Sequence, residues 1–172
     1  MHHIIWPQGY LPGTTDNFVS NEIIVPGLDA ATAWDYLADT ARWAACYHNA
    51  QDIRFHDGAG PLLRPGAHFR FTTFGFAVDA RVTEYLAPAP GAAARLAWHG
   101  WVEGDAAARL DVHHAWLFED LPGGRLRILT QETQVGAPAR ELAATRPNPM
   151  LNAHQDWIEG LAGTASGAAA QD

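Results

Sequence analysis

The chain has 172 residues, of which nearly half are hydrophobic, enough for one domain with a substantial core. Its formal net charge of −8 excludes sequence-independent nucleic-acid binding, which depends on clustered Lys and Arg. No apolar run approaches the ~18 residues of a membrane span, and the N-terminus lacks the charged and apolar regions of a signal peptide. The single cysteine, Cys46, fits a reducing compartment, so we predict a cytoplasmic protein.

The first third of the chain combines a loose arm with two strands and two short helices. Residues 1–17 are rich in Pro and Gly around two aromatic anchors, Trp6 and Tyr10, and are predicted to form an irregular N-terminal arm. Strands are predicted at 21–25 and 52–55, with two short helices carrying aromatic residues between them. Such helices can seal one end of a curved antiparallel sheet, which favours an enclosed apolar pocket.

From residue 57 to residue 135 the hydrophobic pattern has a period of two, which is typical of strands. Turns rich in Gly and Pro divide this region into hairpins. Together with the first two strands, it predicts seven in all, the other five lying at 68–73, 76–85, 95–103, 109–119 and 125–135.

After Gly136 the period becomes helical, and Pro147 and Pro149 fit the start of a helix. One face of that helix is apolar, with Met150, Leu151, His154, Trp157, Ile158 and Leu161 at spacings of three and four. One apolar-faced helix against one sheet predicts an α+β domain. We assign this single domain to residues 18–163 and a flexible tail to residues 164–172.

Several motifs in this order resemble the SRPBCC superfamily of START, polyketide cyclase and birch-allergen proteins. They span roughly residues 18–162 and include the segments 34–39, 96–100, 114–120 and 154–161, together with Arg42-Trp43, Tyr47, Pro65-Gly66, Phe74-Gly75-Phe76 and Gly123-Gly124. The resemblance, which is to a bacterial polyketide cyclase/dehydrase-like member, implies the helix-grip fold. In that fold a seven-stranded curved antiparallel sheet, two short helices and a long C-terminal helix surround an apolar cavity. The superfamily holds cyclases, lipid carriers, hormone receptors and co-chaperones, so the fold does not imply one function.

Alternation along the strands predicts which side chains face the cavity, and a tight turn over 121–124 predicts the register of the last hairpin. That register places Phe118 opposite Leu126, Trp116 opposite Ile128, and His114 opposite Thr130.

The predicted inner face is apolar apart from His114, Thr130 and Glu132, and His154 lies on the helix stripe that faces it. We predict His114, Glu132 and His154 as the candidate catalytic group, in which a histidine acts as general acid or base and Glu132 orients it. Two alternatives stay open: the group orients a ligand, or its members only satisfy one another in the core. Two histidines and a carboxylate also match the donors of a metal site, but their spacing is not diagnostic, and we predict no metal and no cofactor.

The leading functional prediction is binding of a small hydrophobic molecule, aromatic or polycyclic, in the cavity between the sheet and the C-terminal helix. Its predicted contacts are Phe69, Phe71, Trp98, Val112, Trp116, Phe118, Ile128, Thr130 and Trp157. One alternative is a cofactor-free enzyme of the polyketide cyclase/dehydratase type that moves protons through the cavity His and Glu residues. Another is an interaction module similar to the co-chaperone members, which acts through its surface.

The outer face of the sheet carries a second apolar group, formed by His99, Trp101, Leu117 and Leu129. An exposed patch of this kind often marks an interface. Two interpretations are open: the patch forms a homodimer interface, or the N-terminal arm covers it.

Overall fold

The computed structural model describes residues 1–169. Its strands are β1 (Asn17–Pro26), β2 (Gln51–Phe55), β3 (His68–Thr73), β4 (Phe76–Leu86), β5 (Ala94–Val102), β6 (Leu110–Leu121) and β7 (Arg125–Val135). Its helices are α1 (Ala30–Ala38), α2 (Trp43–Cys46), α3 (Ala137–Ala144) and α4 (Pro149–Ala169), with a 3-10 turn at Thr40–Arg42 before α2.

The seven strands form one antiparallel sheet in the order β1-β7-β6-β5-β4-β3-β2. Strands β2 to β7 follow one another as neighbours, and β1 joins the far edge by pairing with β7. The curved sheet wraps around α4, and α1 and α2 pack against that helix. This arrangement confirms the predicted α+β helix-grip fold with seven strands.

Local chemistry accounts for the helix starts. The Asp29 side chain accepts a hydrogen bond from the backbone N–H of Thr32 and so caps α1. The Asn148 side chain accepts from the backbone N–H of Met150 at 3.0 Å, and Pro149 occupies the first position of α4, where a missing N–H costs little.

Three features differ from the sequence-based expectation by more than one or two residues. β1 begins at Asn17, because residues 17–20 pair with β7 in addition to the predicted part of the strand. α3 was not predicted as a separate helix, since its eight residues are short of large apolar side chains. The predicted tail is helical as far as Ala169, and residues 170–172 lie outside the described part of the chain.

The predicted register of the β6–β7 hairpin is wrong by two residues. Leu121 pairs with Arg125, so the loop consists of Pro122, Gly123 and Gly124, with both glycines at positive φ. The observed pairs are Phe118 with Ile128, Trp116 with Thr130, and His114 with Glu132. Because the slip is an even number of residues, every side chain keeps its predicted face, and His114 comes to lie directly opposite Glu132.

Aromatic side chains fill the space between the sheet and the helices. Trp43 is fully buried, and its indole N–H donates to the backbone oxygen of Leu37 at 2.8 Å. Its ring centroid lies 5.9 Å from that of Trp98 and 5.1 Å from that of Trp157. These contacts fix α2 between the sheet and α4, so that little of the enclosed volume remains empty.

The N-terminal arm covers the outer face of the sheet. Ile4 is buried there in a cluster with Ala97, Ala115, Leu117 and Leu129, and Trp6 packs on its edge.

The backbone of the arm is held by two largely buried arginines: Arg127 donates to the carbonyl of His2 at 2.8 Å, and Arg95 donates to that of His3 at 2.6 Å. Cover by the arm is therefore confirmed for Leu117 and Leu129, whereas His99 and Trp101 stay partly exposed. The homodimer remains a prediction. Over residues 1–169, no helix has the length and apolarity that a bilayer span requires.

Candidate functional site

A cavity of about 50 Å³ lies between the sheet and α4. Its walls are mainly apolar and come from β3, β4, β5, β6 and α4: Phe71, Val78, Trp98, Leu110, Val112 and Trp157. The buried polar residues of its lining, tyrosine aside, are His114, Glu132, Gln134 and His154. The partly exposed members, among them Phe74 and Phe76 of the β3–β4 hairpin and Leu142 of α3, mark the side from which the cavity is reached.

His114, Glu132 and His154 form a buried polar triad. Their side chains come from β6, β7 and α4, and none is more than 4% exposed. One carboxylate oxygen, Glu132 Oε2, lies 3.1 Å from His114 Nδ1 and 3.4 Å from His154 Nε2. The two imidazole rings are stacked, with centroids 4.4 Å apart and planes inclined by 10°. The sheet register and the closing helix therefore bring together the three residues that were predicted as one group.

Further polar side chains hold the triad in place. His114 Nε2 lies 2.8 Å from Thr130 Oγ1, a hydrogen bond that fixes the plane of the ring. The Gln134 amide donates to Glu132 Oε1 at 2.5 Å, and Gln134 accepts in turn from the amide of Asn17 at 2.8 Å. These bonds connect the carboxylate to the amide side chains of β7 and β1, so its orientation is set by the sheet itself.

The electrostatic setting of the triad is unusual for a buried carboxylate. Within residues 1–169, the ion-pair partners of Glu132 are the two histidines, and no arginine is among them. Burial, and next the proximity of His154, hold the pKa of His114 well below its usual value, because a charged imidazole would lose its hydration there.

Two residues that line the cavity each carry a buried polar atom without a hydrogen-bond partner among the described residues: Nδ1 of His154 and the indole N–H of Trp157. Buried polar groups are nearly always paired, and an unpaired one costs roughly 1–3 kcal/mol. Both atoms belong to residues that flank the same small space. A molecule within that space could satisfy them.

The predicted ligand contacts divide into two groups. Phe71, Trp98, Val112 and Trp157 line the cavity, as do all three members of the triad. The others lie on the predicted face but are buried in the core and do not line the cavity: Phe69, Trp116, Phe118, Ile128 and Thr130. At the Phe118 end of the sheet, helix side chains such as Trp34, whose ring lies 6.1 Å from that of Phe118, occupy the space.

Several residues of the site were not predicted. Gln134 shares its strand face with Glu132, and this alternation was the only signal that could have placed it at the cavity. Leu142 comes from the unpredicted α3, and Met150 lies in the first turn of α4. Tyr47, which was noted as part of the superfamily resemblance, stacks its ring on Trp157 at 4.5 Å and forms part of the cavity wall.

Comparison with protein-family models and with curated proteins found no match. Among solved structures, CV1439 from Chromobacterium violaceum has a TM-score of 0.56 at 14% identity, over 87% of this chain and 98% of that one. BexL, a di-domain ARO/CYC protein of the BE-7585A biosynthetic pathway, has a TM-score of 0.52 at 13% identity, over 87% of this chain and 45% of that one. At these identities the likeness concerns the fold alone.

A much closer structure is the hypothetical protein jhp0584 from Helicobacter pylori, with a TM-score of 0.91. It is 45% identical in sequence, and the match covers 96% of this chain and 97% of that one. The chain therefore belongs to the same family as jhp0584 of Helicobacter pylori.

Proposed function

We propose that this domain binds a small, mainly apolar molecule in the cavity between its sheet and α4. The observation that carries the proposal is a mainly apolar space lined by two residues, His154 and Trp157, that each carry a buried polar atom without a partner among the described residues. Aromatic walls would provide contact area, and a few polar groups would orient the molecule, which is the usual division of labour in ligand sites. In this account His154 and Trp157 bond to the ligand, while Glu132 holds His154 in place.

The volume of the cavity limits the size of the ligand. An engineered cavity that takes up benzene measures roughly 150 Å³, whereas the cavity here measures about 50 Å³. A single aromatic ring would therefore enter only if side chains near Phe74, Phe76 and Met150 moved outward. The polycyclic ligand predicted from the resemblance is too large for this conformation.

The cavity volume and the arm each weigh against one of the two alternative functions. A polyketide cyclase or dehydratase must enclose a long reactive chain, which needs far more space than about 50 Å³. A co-chaperone-like module needs an exposed binding face, but the arm buries Leu117 and Leu129 on the outer face of the sheet. The likeness to BexL supports the fold of a small-molecule site without assigning its chemistry.

Filling the cavity from within is expected to abolish binding. Val112 lines the cavity on β6, and Val112→Phe would place a ring in the empty space at an overpacking cost of about 1–3 kcal/mol. Xenon is a suitable probe, since it enters dry apolar cavities. In wild-type protein under xenon, saturable NMR shifts are expected at the Trp157 indole N–H and at neighbouring residues, and they should vanish in Val112→Phe.

The matched control is Val135→Phe, which makes the same change at a half-exposed site on the next strand and should leave the xenon shifts intact. If Val112→Phe does not fold, the smaller change Val112→Ile replaces it in the experiment. Val112→Ile should weaken the xenon-induced NMR shifts. Undiminished xenon shifts in folded Val112→Phe, or their absence from wild-type protein, would refute the proposed site.

A further inference from the structure

We propose that His114, Glu132 and His154 form a binding site for one divalent transition-metal ion. The sequence predicted no metal because the three residues come from different elements and have no diagnostic spacing. The fold nevertheless places one donor atom from each within 4.8 Å of the other two. Two imidazoles and one carboxylate are a donor set that suits zinc, cobalt and ferrous iron. This proposal stands on the triad itself and does not depend on the apolar ligand.

The distances between the donor atoms match those around a shared ion. Metal–ligand bonds of about 2.1 Å separate neighbouring donors by roughly 3.0 Å at right angles and roughly 3.4 Å at tetrahedral angles. Glu132 Oε2 lies 3.1 Å from His114 Nδ1 and 3.4 Å from His154 Nε2. The two imidazole rings are stacked, however, with planes inclined by only 10°, and each nitrogen lone pair lies in the plane of its ring. One ring must therefore turn out of the stack for both nitrogens to bind the same ion.

The surroundings also resemble those of a metal site. Ligating histidines and carboxylates are generally oriented by outer hydrogen bonds. Here Thr130 contacts the second nitrogen of His114 at 2.8 Å, and Gln134 donates to the second oxygen of Glu132 at 2.5 Å. Two of the three ligands would thus be oriented before the ion arrives, and His154, whose Nδ1 has no partner among the described residues, is the ring that can turn toward the ion.

Charge provides a third argument. Glu132 is 4% exposed, and a buried carboxylate is costly without a compensating cation. Among the described residues no arginine pairs with it. A divalent ion would supply the missing positive charge. The adjoining cavity would leave coordination positions free for water or a small ligand, as in metal sites that do chemistry rather than hold a fold together.

A second histidine–carboxylate group makes a suitable control. His56, His68 and Asp79 also approach one another, but they lie at the surface, where the His56 side chain is 43% exposed and Asp79 lies 3.6 Å from Arg70. Because Asp79 already has a cationic neighbour and the group is open to solvent, we expect it to bind metal weakly.

The test is titration of chelator-treated protein with cobalt(II) chloride, followed by the visible absorption of the bound ion. Wild-type protein should bind one cobalt ion per chain, displaceable by zinc, and zinc should raise its melting temperature. Glu132→Gln and His154→Ala should each lower the cobalt affinity at least about 100-fold, since each loses a direct ligand. His56→Ala should bind like wild type.

Circular dichroism would establish that each variant is folded, and His154→Gln replaces His154→Ala if the latter is not. The proposal would be overturned by the absence of a cobalt spectrum in wild-type protein. Unchanged affinity in Glu132→Gln and His154→Ala, or loss of binding in His56→Ala, would also overturn it. Xenon binding is measured separately, on metal-free protein. Failure of the metal site can therefore be distinguished from failure of the apolar site.

Discussion

Replacing Gly160 with alanine is expected to destabilise the domain by about 3 kcal/mol or more. Gly160 is the point at which α4 crosses the end of α2. A Cβ at this position would overlap the carbonyl oxygen of Cys46 and stand 3.0 Å from the carbonyl carbon. Both are backbone atoms, so no side-chain rotation can relieve the overlap, and the helices would have to move apart. His154 and Trp157 lie on the same helix, so their approach to the sheet should loosen as well.

Gly163→Ala is the matched control, because it makes the same change in the same helix with nothing within 4 Å of the added Cβ. There alanine should stabilise the helix by about 0.5–1 kcal/mol, since glycine is the poorer helix former. Urea denaturation of both variants measures the two effects. Equal stabilities would mean that α2 and α4 are farther apart than described.

Replacing Trp157 with alanine is expected to cost about 3–5 kcal/mol and to create a binding site for indole. Trp157 is 3% exposed, and its ring packs against Tyr47 at 4.5 Å and Trp43 at 5.1 Å. Removing it would join an indole-sized void to the existing cavity. At roughly 100 times its dissociation constant, added indole should restore about 2.7 kcal/mol.

Thermal unfolding with and without indole measures this rescue. Trp6→Ala is the control: it also removes an indole, but from the partly exposed arm, and its stability should not respond to indole. Equal stabilisation of wild type, Trp6→Ala and Trp157→Ala would show that indole acts elsewhere. No response in Trp157→Ala would contradict the position of this side chain beside the cavity.

The sheet was predictable from sequence because its signals are local. Glycine and proline mark the turns, and the period of two assigns each side chain to a face, so the boundaries of β3 and β7 agree with the prediction. The pairing register between two strands depends on less local features than the strand boundaries do. The contact between His114 and Glu132 depends on where the turn lies: the loop is Pro122-Gly123-Gly124, whereas a tight turn over 121–124 was expected.

The size of the cavity could not be predicted, because it depends on how far the helix side chains reach into the sheet. Alternation places Phe118 and Val112 on the same face. Only the packing of Trp34 against Phe118 separates a core position from a cavity position. For a similar reason, the sequence could not predict what covers the outer face of the sheet. It identifies Trp6 as an aromatic anchor but does not indicate the surface on which that side chain packs.

The central claim, that the cavity holds a small molecule, is tested most directly by native mass spectrometry of freshly purified protein. We expect the native mass to exceed the denatured mass by that of a small organic molecule, distinct from any metal ion. The excess should be absent from folded Val112→Phe. A native mass equal to that of the chain, or of the chain with metal alone, would contradict the claim.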